Sequence, residues 1–179
     1  KYGSLSAALE SIQKATTENT IIMSLMNGVD SEEIIAEKVG VEHLLPAVIK
    51  VASHKEEDGY HFDPETTIGI IFGELTAPYD SDRIRAIEYA REEMWSKFRL
   101  NVCNNLPQAI LGAGVGCYRD SVHMKAISDG LKGELEAIAH AKGIDLSKTE
   151  ASSGRGSAVP PSARYSTLQD LDAGRHTEI

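Results

Sequence analysis

The sequence predicts an α/β chain in two parts, an α/β half followed by an all-helical half. Three observations carry that expectation. Short apolar, β-prone runs alternate with amphipathic helical segments over the first seventy or so residues. Helical periodicity then takes over from residue 80 onward. With 179 residues, the chain is long enough for one good core or two small domains. A shift of composition near residues 80–90 sets the expected boundary, giving domains 1–88 and 89–179.

Taken in order, Ser4 to Ala15 reads as an amphipathic helix, with Leu5, Ala8, Leu9 and Ile12 at helical spacing and Ser4 as N-cap. Thr20 to Leu25 is a short, mostly apolar run of the kind found in buried parallel strands, and it stops at the turn signal Asn27-Gly28. Asp30 or Ser31 caps a second helix, Glu32 and Glu33 stand in its first turn, and Gly40 closes it. Leu44 to Ala52 is again β-prone. Tyr60–Phe62 and Thr66–Phe72 read as a short strand pair joined through Pro64. This order is that of the second half of a Rossmann-like nucleotide-binding sheet.

Beyond Pro78, Asp80 or Ser81 opens a helical region that reaches Asn104, and Pro107 restarts it. Asp120 to Ala141 reads as one long amphipathic helix ended by Gly143. Leu146 to Ala163 is rich in Ser, Gly and Pro and reads as a loop, and Ser166 to Ile179 returns to helical character. Gly112-Ala-Gly114-Val-Gly116 imitates a dinucleotide-binding loop. It follows no strand, however, and its third glycine comes one position early, so a close-packed helix–helix connection is expected there.

Composition narrows the function. Hydrophobic residues make up 41% and charged residues 25%, as in ordinary soluble proteins. No apolar run approaches the ~18–20 residues of a membrane span, and the amino terminus lacks the pattern of a secretory signal. A formal charge of −9 argues against a nucleic-acid partner, because phosphate backbones are held by clustered Lys and Arg. The same charge means that an anionic cofactor must be held by local cations against an unfavourable overall field. The six histidines form no metal-ligand spacing, so no metal is expected. Two cysteines, Cys103 and Cys117, fit a cytoplasmic location.

The pattern richest in chemistry is WSKFRLNVCNNLPQ, where Lys97, Asn101 and Asn105 recur every fourth residue. An α-helix turns about 100° per residue, so positions four apart stack along one face. One ammonium and two carboxamides on one face suit a small substrate with an anionic head and a reducible carbonyl. By itself, the spacing is also that of a solvated polar face.

WSKFRLNVCNN, joined to the terminal YSTLQDLDAGRHTEI, resembles the ketopantoate reductases (2-dehydropantoate 2-reductases). Their second domain carries a W-x-K-x-x-x-N-x-x-x-N helix and a later S-x-x-Q-D-x-x-x-x-R-x-T-E-I segment, and both stand here in the right order. SLMNGVDSEE resembles the family's strand-end NG and following helix, and Lys1 precedes Asn27 by the family's interval. The resemblance implies a helical second domain of the 6-phosphogluconate-dehydrogenase C-terminal type. It also implies NADPH-dependent reduction of 2-dehydropantoate to pantoate, in pantothenate and coenzyme A biosynthesis.

Residue by residue, the resemblance makes Lys97 the proton donor, and it makes Asn27, Asn101, Asn105 and Ser166 the substrate contacts. Lys1, Asn27 and Glu178 become the cofactor contacts. The sequence departs from the family in lacking its first strand and GxGxxG turn, and IEYAREEMWSK runs straight through where the family has a turn and strand. The expectation is therefore the central portion of such an enzyme, weakly active or inactive when isolated, and compatible with a homodimer. Two alternatives stay open: a related reductase of another 2-keto acid, and a cofactor-free helical dimerisation or regulatory module.

Overall fold

A computed structural model describes residues 2–51, 53–56, 58–62, 67–73, 90–152 and 159–177. The chain divides into two compact units, Lys1–Met94 and Trp95–Ile179.

In the first unit, α1 (Leu5–Ala15) turns the Leu5 side of its apolar stripe inward. Ser4 occupies the N-cap position, but its side chain makes no capping bond. α2 (Ser31–Val39) ends at Gly40, whose φ of 97° only glycine adopts without strain. Asp30 precedes α2 without capping it, because its carboxylate instead accepts a 2.7 Å hydrogen bond from the Tyr2 hydroxyl.

The sheet differs from expectation in two respects. Thr20 to Leu25 does not form a buried strand. It contributes one parallel bridge, Ile22 to Leu44, while Ile21, Met23 and Leu25 are exposed. A ladder needs successive pairs along a partner, and only Ile22 finds both its bonds, to the His43 carbonyl at 2.7 Å and from the Leu45 amide at 2.9 Å. The second difference concerns pairing. β1 (Ala47–Lys50) pairs antiparallel with β4 (Gly69–Phe72), and β2 (Ser53–Glu56) with β3 (Gly59–Phe62). The polar SHKE run of β2 carries no hydrophobic alternation, so the true partner of β3 was not legible. Pro64, with the helical start expected at Asp80 or Ser81, lies outside the described residues. Val48 of β1, Ile71 of β4 and Met94 pack together as a small core.

The second unit is helical. α3 (Ala90–Leu100) enters it and passes into a five-residue π-helical turn, Asn101–Asn105, followed by α4 (Leu106–Leu111). α5 (Cys117–Asp120) and α6 (Val122–Ala141) follow. The expected single helix from Asp120 is broken at Ser121, which is extended and whose hydroxyl accepts from the Met124 amide at 3.3 Å. This N-cap satisfies a donor that a continuous helix would have satisfied internally. A 3₁₀ segment, Leu146–Ser152, falls inside the stretch expected to be loop. α7 (Ser166–Asp172) is shorter than expected, ending at Asp172.

Trp95, Cys103, Met124, Leu135, Ala139 and Leu168 are buried, and Trp95 meets Phe98 edge to face at 5.8 Å. Arg99 donates to Glu136 at 2.8 Å, tying α3 to α6. No helix among the described residues is long and apolar enough to cross a membrane.

Candidate active site

The site begins with a helix that changes pitch. Pro107 has no N–H to offer the Cys103 carbonyl, and in a regular α turn its ring would collide with that oxygen. The preceding turn widens instead to the π form, with rings closing five residues on rather than four. The Asn104 carbonyl at the end of this turn accepts from the Tyr118 hydroxyl. Burial, reinforced by the neighbouring Cys117, raises the Tyr118 pKa to about 12, so the phenol keeps the proton it donates.

The wider turn keeps the predicted row together. In a π turn four residues fall just short of a full rotation, where in an α turn they fall just past it. Asn105 therefore remains on the same face as Asn101 with the opposite offset. Lys97 stands one α turn before Asn101 and is half-buried. Asn105 is 7% exposed, and its carboxamide donates to Asn101 Oδ1 at 3.4 Å and to Ser166 Oγ at 3.3 Å. A residue sixty-one positions further along the chain thus meets the row at its most buried member. Both bonds are long, and an exchange for a ligand's polar groups at similar energy costs little.

Ser166 is held there from behind. It is the first residue of α7, which anchors itself through Leu168, 2% exposed. The preceding strap, residues 159–165, crosses the Gly114–Gly116 connection. The Gly116 amide donates to the Pro161 carbonyl at 2.8 Å, and the Val115 amide to the Ala163 carbonyl at 2.9 Å. A Cβ added at Gly114 would lie 2.6 Å from the Pro161 carbonyl oxygen. The glycine-rich segment, which connects α4 to α5, is therefore a place where the strap's backbone approaches closely. Gln108, fully buried on α4, accepts from the Tyr165 amide at 2.6 Å and donates to the Ala163 carbonyl at 3.4 Å. Gln108 was not singled out from the sequence. The available signal was a lone amide in the apolar run LPQAIL.

The remaining predicted residues are placed separately. Asn27 lies half-buried in the first unit, on the bend that follows the Thr20–Leu25 run, beside Gly28 at φ 115°. Ser24, Ser31 and Glu32 form a buried chain beside that bend. The Ser24 and Ser31 hydroxyls are 2.8 Å apart, and Ser31 donates to Glu32 at 2.8 Å. Glu32 is 4% exposed, and desolvation raises its pKa against the pull of these hydrogen bonds. Lys1 and Glu178 lie outside the described residues. Arg175, given no role from the sequence, pairs with Asp170 at 2.8 Å. A separate cleft of about 530 Å³, lined by Arg99, Glu136, His140 and Asp145 among others, includes none of the predicted residues.

The fold and this arrangement define a Rossmann-like α/β part followed by a helical part carrying a Lys–Asn–Asn row. Residues 90–179 match the family model for the C-terminal part of ketopantoate reductase PanE/ApbA, and residues 1–74 match the model for ketopantoate reductase PanE/ApbA. The chain belongs to the ketopantoate reductase (PanE/ApbA) family.

Among solved structures, it is similar to a D-mandelate dehydrogenase in complex with NADH, at 18% identity and a TM-score of 0.78, covering 99% of this chain and 65% of that one. It is also similar to 2-dehydropantoate 2-reductase from Geobacter metallireducens GS-15, at 24% identity and a TM-score of 0.75, covering 98% of this chain and 64% of that one. A dimeric ketopantoate reductase from Staphylococcus aureus follows at 14% identity and 0.72, covering 97% and 61%. The chain thus spans less than two thirds of the length of each. No curated protein sequence matches it.

Proposed function

We propose that the protein is a nicotinamide-dependent reductase of a 2-keto acid, of the ketopantoate reductase type, which converts 2-dehydropantoate to pantoate with NADPH. Family membership supports the reaction class. The observation that carries the assignment to this site is the meeting of Asn101, Asn105 and Ser166 around one carboxamide.

In this reading Asn101, Asn105 and Ser166 grip the substrate's hydroxyl and carboxylate. Lys97 hydrogen-bonds the C2 carbonyl, stabilises the alkoxide as charge develops, and gives up one proton to that oxygen, leaving a neutral amine. Asn27 offers the cofactor a donor and an acceptor. Its bend follows a run that makes a single parallel bridge at Ile22, and open α/β sheets bind ligands at the carboxyl ends of their parallel strands. When bound, the nicotinamide supplies the hydride for C2. Lys1 and Glu178 complete the cofactor contacts. The free thiols Cys103 and Cys117 fit catalysis in a reducing cytoplasm, and the dimeric relative supports a homodimer.

The likeness to a D-mandelate dehydrogenase favours a second reading, the same chemistry on a 2-keto acid with a bulkier side chain. NADPH and NADH oxidation by the intact protein, measured against 2-dehydropantoate, benzoylformate and pyruvate, separates the two. The first reading predicts the highest kcat/KM on 2-dehydropantoate with NADPH. Turnover confined to benzoylformate supports the second, and no oxidation of either cofactor with any keto acid contradicts both.

A further inference from the structure

We propose that Gln108 is a positioning residue for substrate binding, setting where Ser166 stands relative to Asn105. This rests on the substrate role of Ser166 given above. Gln108 is 0% exposed, and a buried carboxamide must satisfy its donors and acceptor within the protein. Among the described residues, its side chain does so on the strap. Its Oε1 takes the amide proton of Tyr165, the residue before Ser166, at 2.6 Å. Its Nε2 donates to the Ala163 carbonyl at 3.4 Å.

The strap is also tied to Val115 and Gly116 at Ala163 and Pro161, and to α7 by the Arg164–Asp172 ion pair at 2.6 Å. Gln108 is therefore the α4 side chain that holds the Arg164–Tyr165 peptide just before Ser166, by its N–H, while Gln169 of α7 donates to the carbonyl of the same peptide at 2.6 Å. α4 carries Gln108 three residues beyond Asn105, so one continuous helical segment holds both the amide that meets Ser166 Oγ at 3.3 Å and the amide that holds the backbone N–H of the preceding residue, Tyr165. The distance between the two substrate-gripping groups is set by a side chain that touches no substrate.

The test is a double-mutant cycle in the intact protein, with steady-state kinetics on the keto acid that the wild type reduces. Gln108→Met keeps the packing volume and removes both hydrogen bonds. It is expected to raise the keto-acid KM about ten-fold, the size of one well-made hydrogen bond, with kcat and the nicotinamide KM little changed. In a Ser166→Ala background the same substitution is expected to have no further effect on KM. Should Gln108→Met fail to fold, Tyr165→Pro tests the same bond from the other side. Tyr165 has φ −75°, which proline adopts, and the change deletes the donor. Tyr165→Ala, which keeps the donor, is the control, and the KM rise should appear only with proline.

A KM effect of Gln108→Met that is equally large with and without Ser166 overturns the proposal, as does equal behaviour of Tyr165→Pro and Tyr165→Ala. If Ser166→Ala alone leaves KM unchanged, the substrate role of Ser166 fails, and the proposal falls with it.

Discussion

One carboxamide, that of Asn105, links residues read from two distant motifs. The Lys97–Asn101–Asn105 row is visible in the sequence because a four-residue interval maps directly onto a helix face. The structure adds the long hydrogen bonds from Asn105 to Asn101 and Ser166. Ser166 could be reached only through its motif, since no local pattern relates residues sixty-one apart. Gln108 stood out only as a lone amide in an apolar run, and its role was illegible for the same reason: its partners lie on a strap whose course no periodicity encodes.

Glu32 was read as an ordinary acidic residue of a first helical turn, yet it is buried. Its raised pKa fixes the sign of a pH effect. Below 4.5 both folded and unfolded chains hold the proton. As pH rises past that value the unfolded chain releases it first, so folding stability falls until the raised folded pKa is passed. Thermal unfolding of wild type and Glu32→Gln between pH 4 and 7 should show wild type losing ground to the variant as pH rises. Parallel curves would contradict this account of the buried carboxylate.

Elements depart from expectation wherever tertiary partners outweigh local pattern. Thr20–Leu25 has the apolar content of a buried strand, but content does not supply the partner that a ladder needs, and a single bridge forms. The π turn had a local signal that was read only as a restart, namely Pro107 two residues after Asn105. Replacing Pro107 by Ala restores an N–H and removes the ring, and the turn should relax toward regular α geometry. The offset between Asn101 and Asn105 then reverses. The keto-acid KM is expected to rise roughly ten-fold, the worth of one displaced hydrogen bond, while helical circular dichroism is retained. An unchanged KM would show that the π turn does not set the grip.

For the whole molecule, the α/β-then-helical organisation was legible because the periodicity changes character along the chain, and the family models match its two ends separately. The pairing of the short strands was not, because polar β2 carries no alternation. For the proposed reduction, a chain of net charge −9 would have to concentrate its useful cations to meet an anionic substrate and cofactor, and Lys97 is the cation of the predicted substrate row. That gives the account its central claim, that Lys97 supplies the proton.

The most direct test is Lys97→Ala in the intact protein, with kcat for the keto acid and the nicotinamide dissociation constant measured on the same preparation. The account predicts that kcat falls by roughly 10²–10⁴-fold, the worth of a positioned general acid, with cofactor affinity preserved. Wild-type kcat with Lys97 absent would contradict it.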